Sequence, residues 1–150
     1  MNIFLAGATG AIGKRLVPLL LNAGYRVTGT TRSKAKGEAP RAVSVEPVVV
    51  DGFDAPALSR AVSTTHPDIV VHQLTDLPPG LDPGQMTEGT QRNARMRREG
   101  TRNLVVAALR SGVRRLVAPG PEPHSEDDPL DIHAPGTRAI TVAGVATLEG

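Results

Sequence analysis

Residues 1–13 read MNIFLAGATGAIG, and their order decides the fold. A short apolar run, Ile3, Phe4, Leu5 and Ala6, reaches Gly7; Gly10 and Gly13 follow at three-residue spacing and lead into the amphipathic KRLVPLLLNAG of residues 14–24. This is strand, glycine turn, helix. Such a turn suits a phosphate, because the first N–H groups of a helix lack an intrahelical partner and the helix dipole adds partial positive charge there. Gly7 allows a tight exit from the strand, Gly10 lacks the Cβ that would block a pyrophosphate, and Gly13 lets helix and strand pack closely. Three glycines alone also fit a plain strand-to-helix connection. The context favours more: Gly24 closes the helix and YRVTGT of residues 25–30 supplies a second strand, so a βαβ unit stands in order and a dinucleotide site is expected in its turn.

The whole chain bounds that expectation. Its 150 residues suit one domain with a real core. Hydrophobic residues make up 39% and charged residues 21%, while aromatics are only 2%, so the core must be built from Val, Leu, Ile and Ala. The net charge of +2 is mildly basic, but the arginines are scattered and there is no set of aromatics to stack single strands, so nucleic acid is not expected as a partner. With no cysteine there is no disulfide, Cys-ligated zinc or thiol chemistry. No apolar run approaches membrane-spanning length and no charged leader precedes the first strand, so no membrane partner is expected and the protein is read as cytoplasmic.

Along the chain, Ile12, Leu16, Leu19 and Leu20 mark the apolar face of the first helix, with a kink expected at Pro18. The second strand ends at Thr30, followed by Thr31 and Arg32. In a dinucleotide site an acidic residue near this point would accept from the ribose 2′-OH, whereas arginine accommodates a 2′-phosphate. Arg32 therefore favours NADP(H) over NAD(H), a solvated basic loop being the plain alternative. Residues 35–45 contain Gly37 and Pro40 and make a poor crossover helix. The run 46–50, EPVVV, reads as a buried parallel strand, and Asp54 as the N-cap of a helix through Ala57, Leu58, Ala61 and Val62. Asp51 at that strand's carboxyl end suits an adenine amino group or, equally, a turn that caps its own backbone.

Residues 67–74, PDIVVHQL, read as a fourth buried strand whose end, Gln73, Leu74 and Thr75, faces the cofactor in a doubly wound sheet. Residues 75–88 hold three prolines and two glycines and suit a long surface loop of the lid type. A helix is expected over 91–109, packed through Met96, Gly100, Asn103, Leu104, Ala107 and Ala108, with Arg92, Arg95 and Arg98 on its wetter side. VRRLVA of 113–118 is the fifth strand. The alternation predicts an α/β, Rossmann-like, doubly wound parallel sheet in the order 3-2-1-4-5. His66 and His72 read as structural. From residue 119 the character changes: five prolines and five acidic residues lie within 119–135. His124, Asp127, Asp128, Asp131 and His133 match no helical ligand spacing, so a solvated loop is expected and no metal site.

Taken together, GATGAIG at 7–13, TTR at 30–32, VVVDGFD at 48–54, DIVVHQLT at 68–75, EGTRNLVVAAL at 99–109 and VRRLVA at 113–118 resemble the extended short-chain dehydrogenase/reductases, in their NAD-dependent epimerase/dehydratase branch. The resemblance spans essentially the whole chain. It implies a dinucleotide-binding domain over 1–118 and the start of a substrate-side region over 119–150. The pyrophosphate would lie over Thr9, Gly10, Ala11 and Ile12, the adenine near Asp51 and Gly52, and the ribose-nicotinamide half along Gln73 to Thr75. It also brings a homodimer into consideration.

The catalytic part of the pattern does not carry over. The family uses a tyrosine and a lysine four apart to move a proton on the substrate hydroxyl, with an acidic residue commonly four further on. If Glu149 takes that last place, Thr141 and Val145 stand where the tyrosine and lysine belong, and neither has a usable pKa. The only tyrosine is Tyr25. Arg97 occupies the place of the asparagine usually found before the GT of the long helix, with Asn93 one turn earlier. Ala118 runs directly into Pro119-Gly120-Pro121 without the family's serine- or threonine-bearing segment, and the chain stops in a helix, which reads as truncation before the substrate-binding region. No catalytic residue is assigned. Two functions are expected: an epimerase/dehydratase-type or oxidoreductase cofactor-binding unit of unknown small-molecule substrate, or a catalytically silent NADP(H)-binding sensor or scaffold.

Overall fold

A computed structural model of the chain describes residues 1–32, 45–78 and 82–118. The element order is β1 (Asn2–Ala6), α1 (Gly13–Asn22), β2 (Arg26–Thr31), β3 (Glu46–Val49), α2 (Ala55–Thr65), β4 (Ile69–His72), a short 3₁₀ turn (Pro83–Gln85), α3 (Met86–Arg95), a π-helical turn (Met96–Gly100), α4 (Thr101–Arg110) and β5 (Arg115–Val117). The five strands form one sheet ordered β3-β2-β1-β4-β5, as expected. β1 is central and pairs in parallel with β2, Ile3 opposite Val27, and with β4, Phe4 opposite Val70.

The period of two along β1 builds both halves of the core. Phe4 and Ala6 point to one side, where they pack with Val50, Leu58, Val62, Val70, Leu104 and Ala107 under α2 and α4. Ile3 and Leu5 point to the other, packing with Val17, Val27, Val45 and Val71 and with Leu16 and Leu20 of α1. A strand covered on both faces must be apolar throughout, which is why the run 3–6 does not alternate. Its four side chains are all at most 3% exposed.

Several boundaries differ from the sequence reading. α1 extends through Pro18, which lies on its exposed side. The fourth and fifth strands are shorter than 67–74 and 113–118. The long helix begins at Met86, five residues before 91, because Glu88 in its first turn pairs with Arg92 at 2.7 Å and Gly89 packs under Pro78, so close that a Cβ on Gly89 would stand 2.4 Å from the Pro78 Cδ. The loop expected over 75–88 is correspondingly shorter. Asp54 caps α2 as expected, its Oδ1 accepting the Ala57 N–H at 2.9 Å. The poor crossover helix of 35–45, apart from Val45, and the tail with its acidic and histidine residues fall outside the described residues. No helix among the described residues is long and apolar enough to cross a membrane.

Candidate dinucleotide site

The carboxyl ends of β1, β2 and β4 splay around one cleft, lined by Gly7, Thr9, Gly10, Thr30, Thr31, Arg32, Val50, Gln73, Leu74 and Thr75. Two glycines shape the turn beside it. Gly7 has φ +92°, and a Cβ there would stand 2.4 Å from the Gln73 carbonyl oxygen, so β1 and the end of β4 approach only over a bare α-carbon. A Cβ on Gly13 would stand 2.3 Å from the Gly7 oxygen, which seats α1 directly on the turn. No side chain caps the first turn of α1; its Lys14 N–H donates to the Gly10 carbonyl at 3.0 Å and its Arg15 N–H to the Ile12 carbonyl at 3.0 Å, so the positive end of the helix dipole, rather than a full set of free donors, is what the turn offers an anion. A turn of this kind, bare of Cβ atoms, has the room that a pyrophosphate requires.

Two threonines brace the turn. The Gly7 N–H donates to Thr30 Oγ1 at 2.9 Å, and Thr9 Oγ1 donates to Thr31 Oγ1 at 3.3 Å. Thr30 and Val50 line the cleft and were missed by the sequence reading; both sit at strand ends beside chosen positions, so the only signal was adjacency. Arg32 stands at the rim, its Nη1 donating to Asp76 Oδ1 at 2.9 Å, and the Asp76 N–H in turn donates to Asn93 Oδ1 at 3.0 Å. Arg32 is thus ion-paired, with half of its side chain still exposed.

Of the thirteen candidate residues, Gly7, Thr9, Gly10, Thr31, Arg32, Gln73, Leu74 and Thr75 line the cleft together. Ala11 and Ile12 lie exposed at the start of α1, and Gly13 is buried beneath the turn. Asp51 is exposed, with Oδ1 accepting the Phe53 N–H at 3.0 Å in the self-capping turn that was its alternative reading. Gly52 is buried: a Cβ there would meet Leu74 Cδ1 at 3.0 Å and Met96 Sδ at 3.2 Å, and its carbonyl accepts from Asn103 Nδ2 at 3.0 Å. Beside it Phe53 carries the Arg95 guanidinium 4.6 Å from its ring centroid, and Arg95 Nε donates to both oxygens of Glu99, which holds that carboxyl below its usual range.

His72 ends β4 behind the cleft wall. The Leu74 N–H donates to its Nδ1 at 3.1 Å, so the ring's single proton sits on Nε2 and is donated to Thr101 Oγ1 at 2.6 Å. Burial, helped by the charge of Arg97, lowers its pKa to about 4, which keeps the ring neutral at ordinary pH. The structural role read for His72 is what these bonds describe. Among the described residues no group of His, Cys, Asp and Glu is arranged to hold a metal ion.

A family model described as NAD(P)H-binding matches residues 7–121. The chain is 42% identical, over 99% of its length and 50% of the relative's, to a 3-diazoavenalumate denitrifying reductase from Streptomyces sp. It is 31% identical, over 47% of its length and 21% of the relative's, to a decarboxylating sterol-4-alpha-carboxylate 3-dehydrogenase from Dictyostelium discoideum. Its fold matches the UDP-Glc/GlcNAc 4-epimerase of Campylobacter jejuni with a TM-score of 0.75 at 17% identity, over 99% of this chain and 46% of that one. The chain thus spans about half, or less, of the length of the proteins it matches.

Proposed function

Starting from the NAD(P)H-binding family, to which this chain belongs, we propose that it is the nucleotide-binding portion of an NAD(P)H-dependent reductase acting on a carboxylate-bearing small molecule. The reading is carried by the 42% identity, maintained over 99% of the chain, to a denitrifying reductase. The glycine cleft supplies the place for the cofactor. In this reading Thr9, Gly10, Ala11 and Ile12 hold the pyrophosphate, Gln73, Leu74 and Thr75 the ribose-nicotinamide half, and Gly52 and the free Oδ2 of Asp51 the adenine. Arg32 keeps Nε and Nη2 for a 2′-phosphate while Nη1 holds Asp76, which supports NADP(H) over NAD(H).

Held by the glycine turn and by Gln73 to Thr75, NAD(P)H would supply a hydride, the two-electron reductant that replacement of a diazo group by hydrogen with release of N₂ requires. No alkoxide would develop in such a reduction, so Thr141 and Val145 at the tyrosine and lysine positions, as the resemblance aligns them when Glu149 takes the acidic place, are compatible with it. Both relatives' names also specify a carboxylate substrate, which supports that class here.

Calorimetric titration with NADPH and NADH, followed by NADPH absorbance in the presence of an aryl diazonium carboxylate, tests the reading. Binding and NADPH consumption with release of N₂ are expected. Failure to bind either dinucleotide overturns it, and tight binding without turnover of any acceptor returns the choice to a silent NADP(H) sensor.

A further inference from the structure

The π-helical turn Met96–Gly100 interrupts the long helix beside the cleft, and π-turns occur frequently at functional sites. Its first residue, Met96, packs with Leu74 between Gly52 and Gly100, so the turn forms the back of the cleft wall. Arg97 follows. Its Nε and Nη1 are enclosed and have no hydrogen-bond partner among the described residues, while the residue as a whole is only half-buried, so Nη2 is the guanidinium nitrogen that a ligand can reach.

The neighbouring acceptors are committed elsewhere. Both ring nitrogens of His72 are used, by the Leu74 N–H and by Thr101. Asn93 Oδ1, one turn earlier on the helix, takes the Asp76 N–H, and both oxygens of Glu99 take Arg95. A guanidinium stays protonated even where burial lowers its pKa, as it does here, so Arg97 is a cation in a partly desolvated wall without a counter-charge among the described residues. Such an arrangement is costly unless an anion completes it. The cofactor's phosphates have donors of their own in the glycine turn and at Arg32, which leaves the anion to the second ligand.

We propose that Arg97 is the receptor for the substrate's carboxylate, pairing with it near His72 and so orienting the substrate against the cofactor cleft. The assignment rests on the reductase reading for the identity of the ligand. A planar guanidinium and a carboxylate match in geometry and charge, and the asparagine expected at this position would offer no charge.

The test uses NADPH-loaded full-length protein titrated with benzoate and with its neutral shape match benzamide, read by the fluorescence of bound NADPH. Benzoate is expected to bind and benzamide not. Arg97→Gln should weaken benzoate by about tenfold or more, with Arg97→Lys intermediate, while NADPH affinity stays within about twofold of wild type. Without ligand, Arg97→Gln should melt no lower than wild type, since an uncompensated charge has been removed. Undiminished benzoate binding in Arg97→Gln overturns the assignment, as does equal binding of benzoate and benzamide by wild type. Loss of thermal stability in both variants also overturns it, in favour of a structural role. Failure of wild type to bind NADPH defeats the reductase reading instead, and is read separately from the benzoate arm.

Discussion

The Leu74 N–H occupies Nδ1 of His72, so a second proton enters that ring only by breaking a main-chain hydrogen bond inside the wall of the cleft. The consequence is a pH dependence of known sign. A histidine whose pKa falls from 6.5 to about 4 on folding contributes stability that is fully present above pH 6.5 and is lost progressively as pH falls toward 4, because only the unfolded chain takes up the proton. The magnitude is about 3 kcal/mol. Urea midpoints of wild type and His72→Gln compared across that range should converge on the acidic side; parallel curves would remove His72 as the cause. Arg32 is the second residue-scale test. Arg32→Ala should weaken NADPH by about 1.5–3 kcal/mol in calorimetry, with NADH much less affected. An equal loss on both dinucleotides would show that Arg32 serves the cleft only through Asp76. The basic character of position 32 was legible in the chain. Its ion pair was not, since Asp76 lies 44 residues away and reaches it only when β4 lies beside β1.

At the scale of elements, the turn from β1 to α1 is the part that local sequence describes best, because every requirement on it is a backbone requirement. Gly13→Ala puts a Cβ 2.3 Å from a carbonyl oxygen, and neither partner is a side chain that can swing away. The helix must lift off the turn, with an expected loss of about 1–3 kcal/mol in urea unfolding and abolished dinucleotide binding. Wild-type stability in that variant would contradict the close seating. The long helix was harder to bound. Its first turn, MTEG, contains Thr87 and Gly89 and follows prolines, so local reading places its start too late; the Glu88–Arg92 pair and the packing of Gly89 on Pro78 are what extend it. The π-turn had no local signal, and with it the enclosure of Arg97 was invisible, although its substitution for an asparagine was apparent from the motif.

For the molecule as a whole, a cleft assembled from three strand ends couples ligand binding to folding. Saturating NADPH at about a hundredfold excess over its Kd should stabilise the protein by about 2.7 kcal/mol and raise the melting midpoint by about 5–10 °C. No shift with either dinucleotide would contradict the site. The sequence by itself determined the strand-glycine-helix opening, the parallel sheet and its order, and most of the residues that line the cleft, because apolar runs, glycine spacing and the alternation of elements are written locally. Only the tertiary structure decided how those residues are used. It tied Arg32 to Asp76, turned Asp51 back on its own backbone, set the proton of His72 on Nε2, and enclosed Arg97 without a partner. Each of these depends on which atoms lie within about 3 Å across elements distant in the chain, a matter of packing that hydrophobic pattern and turn chemistry leave undetermined.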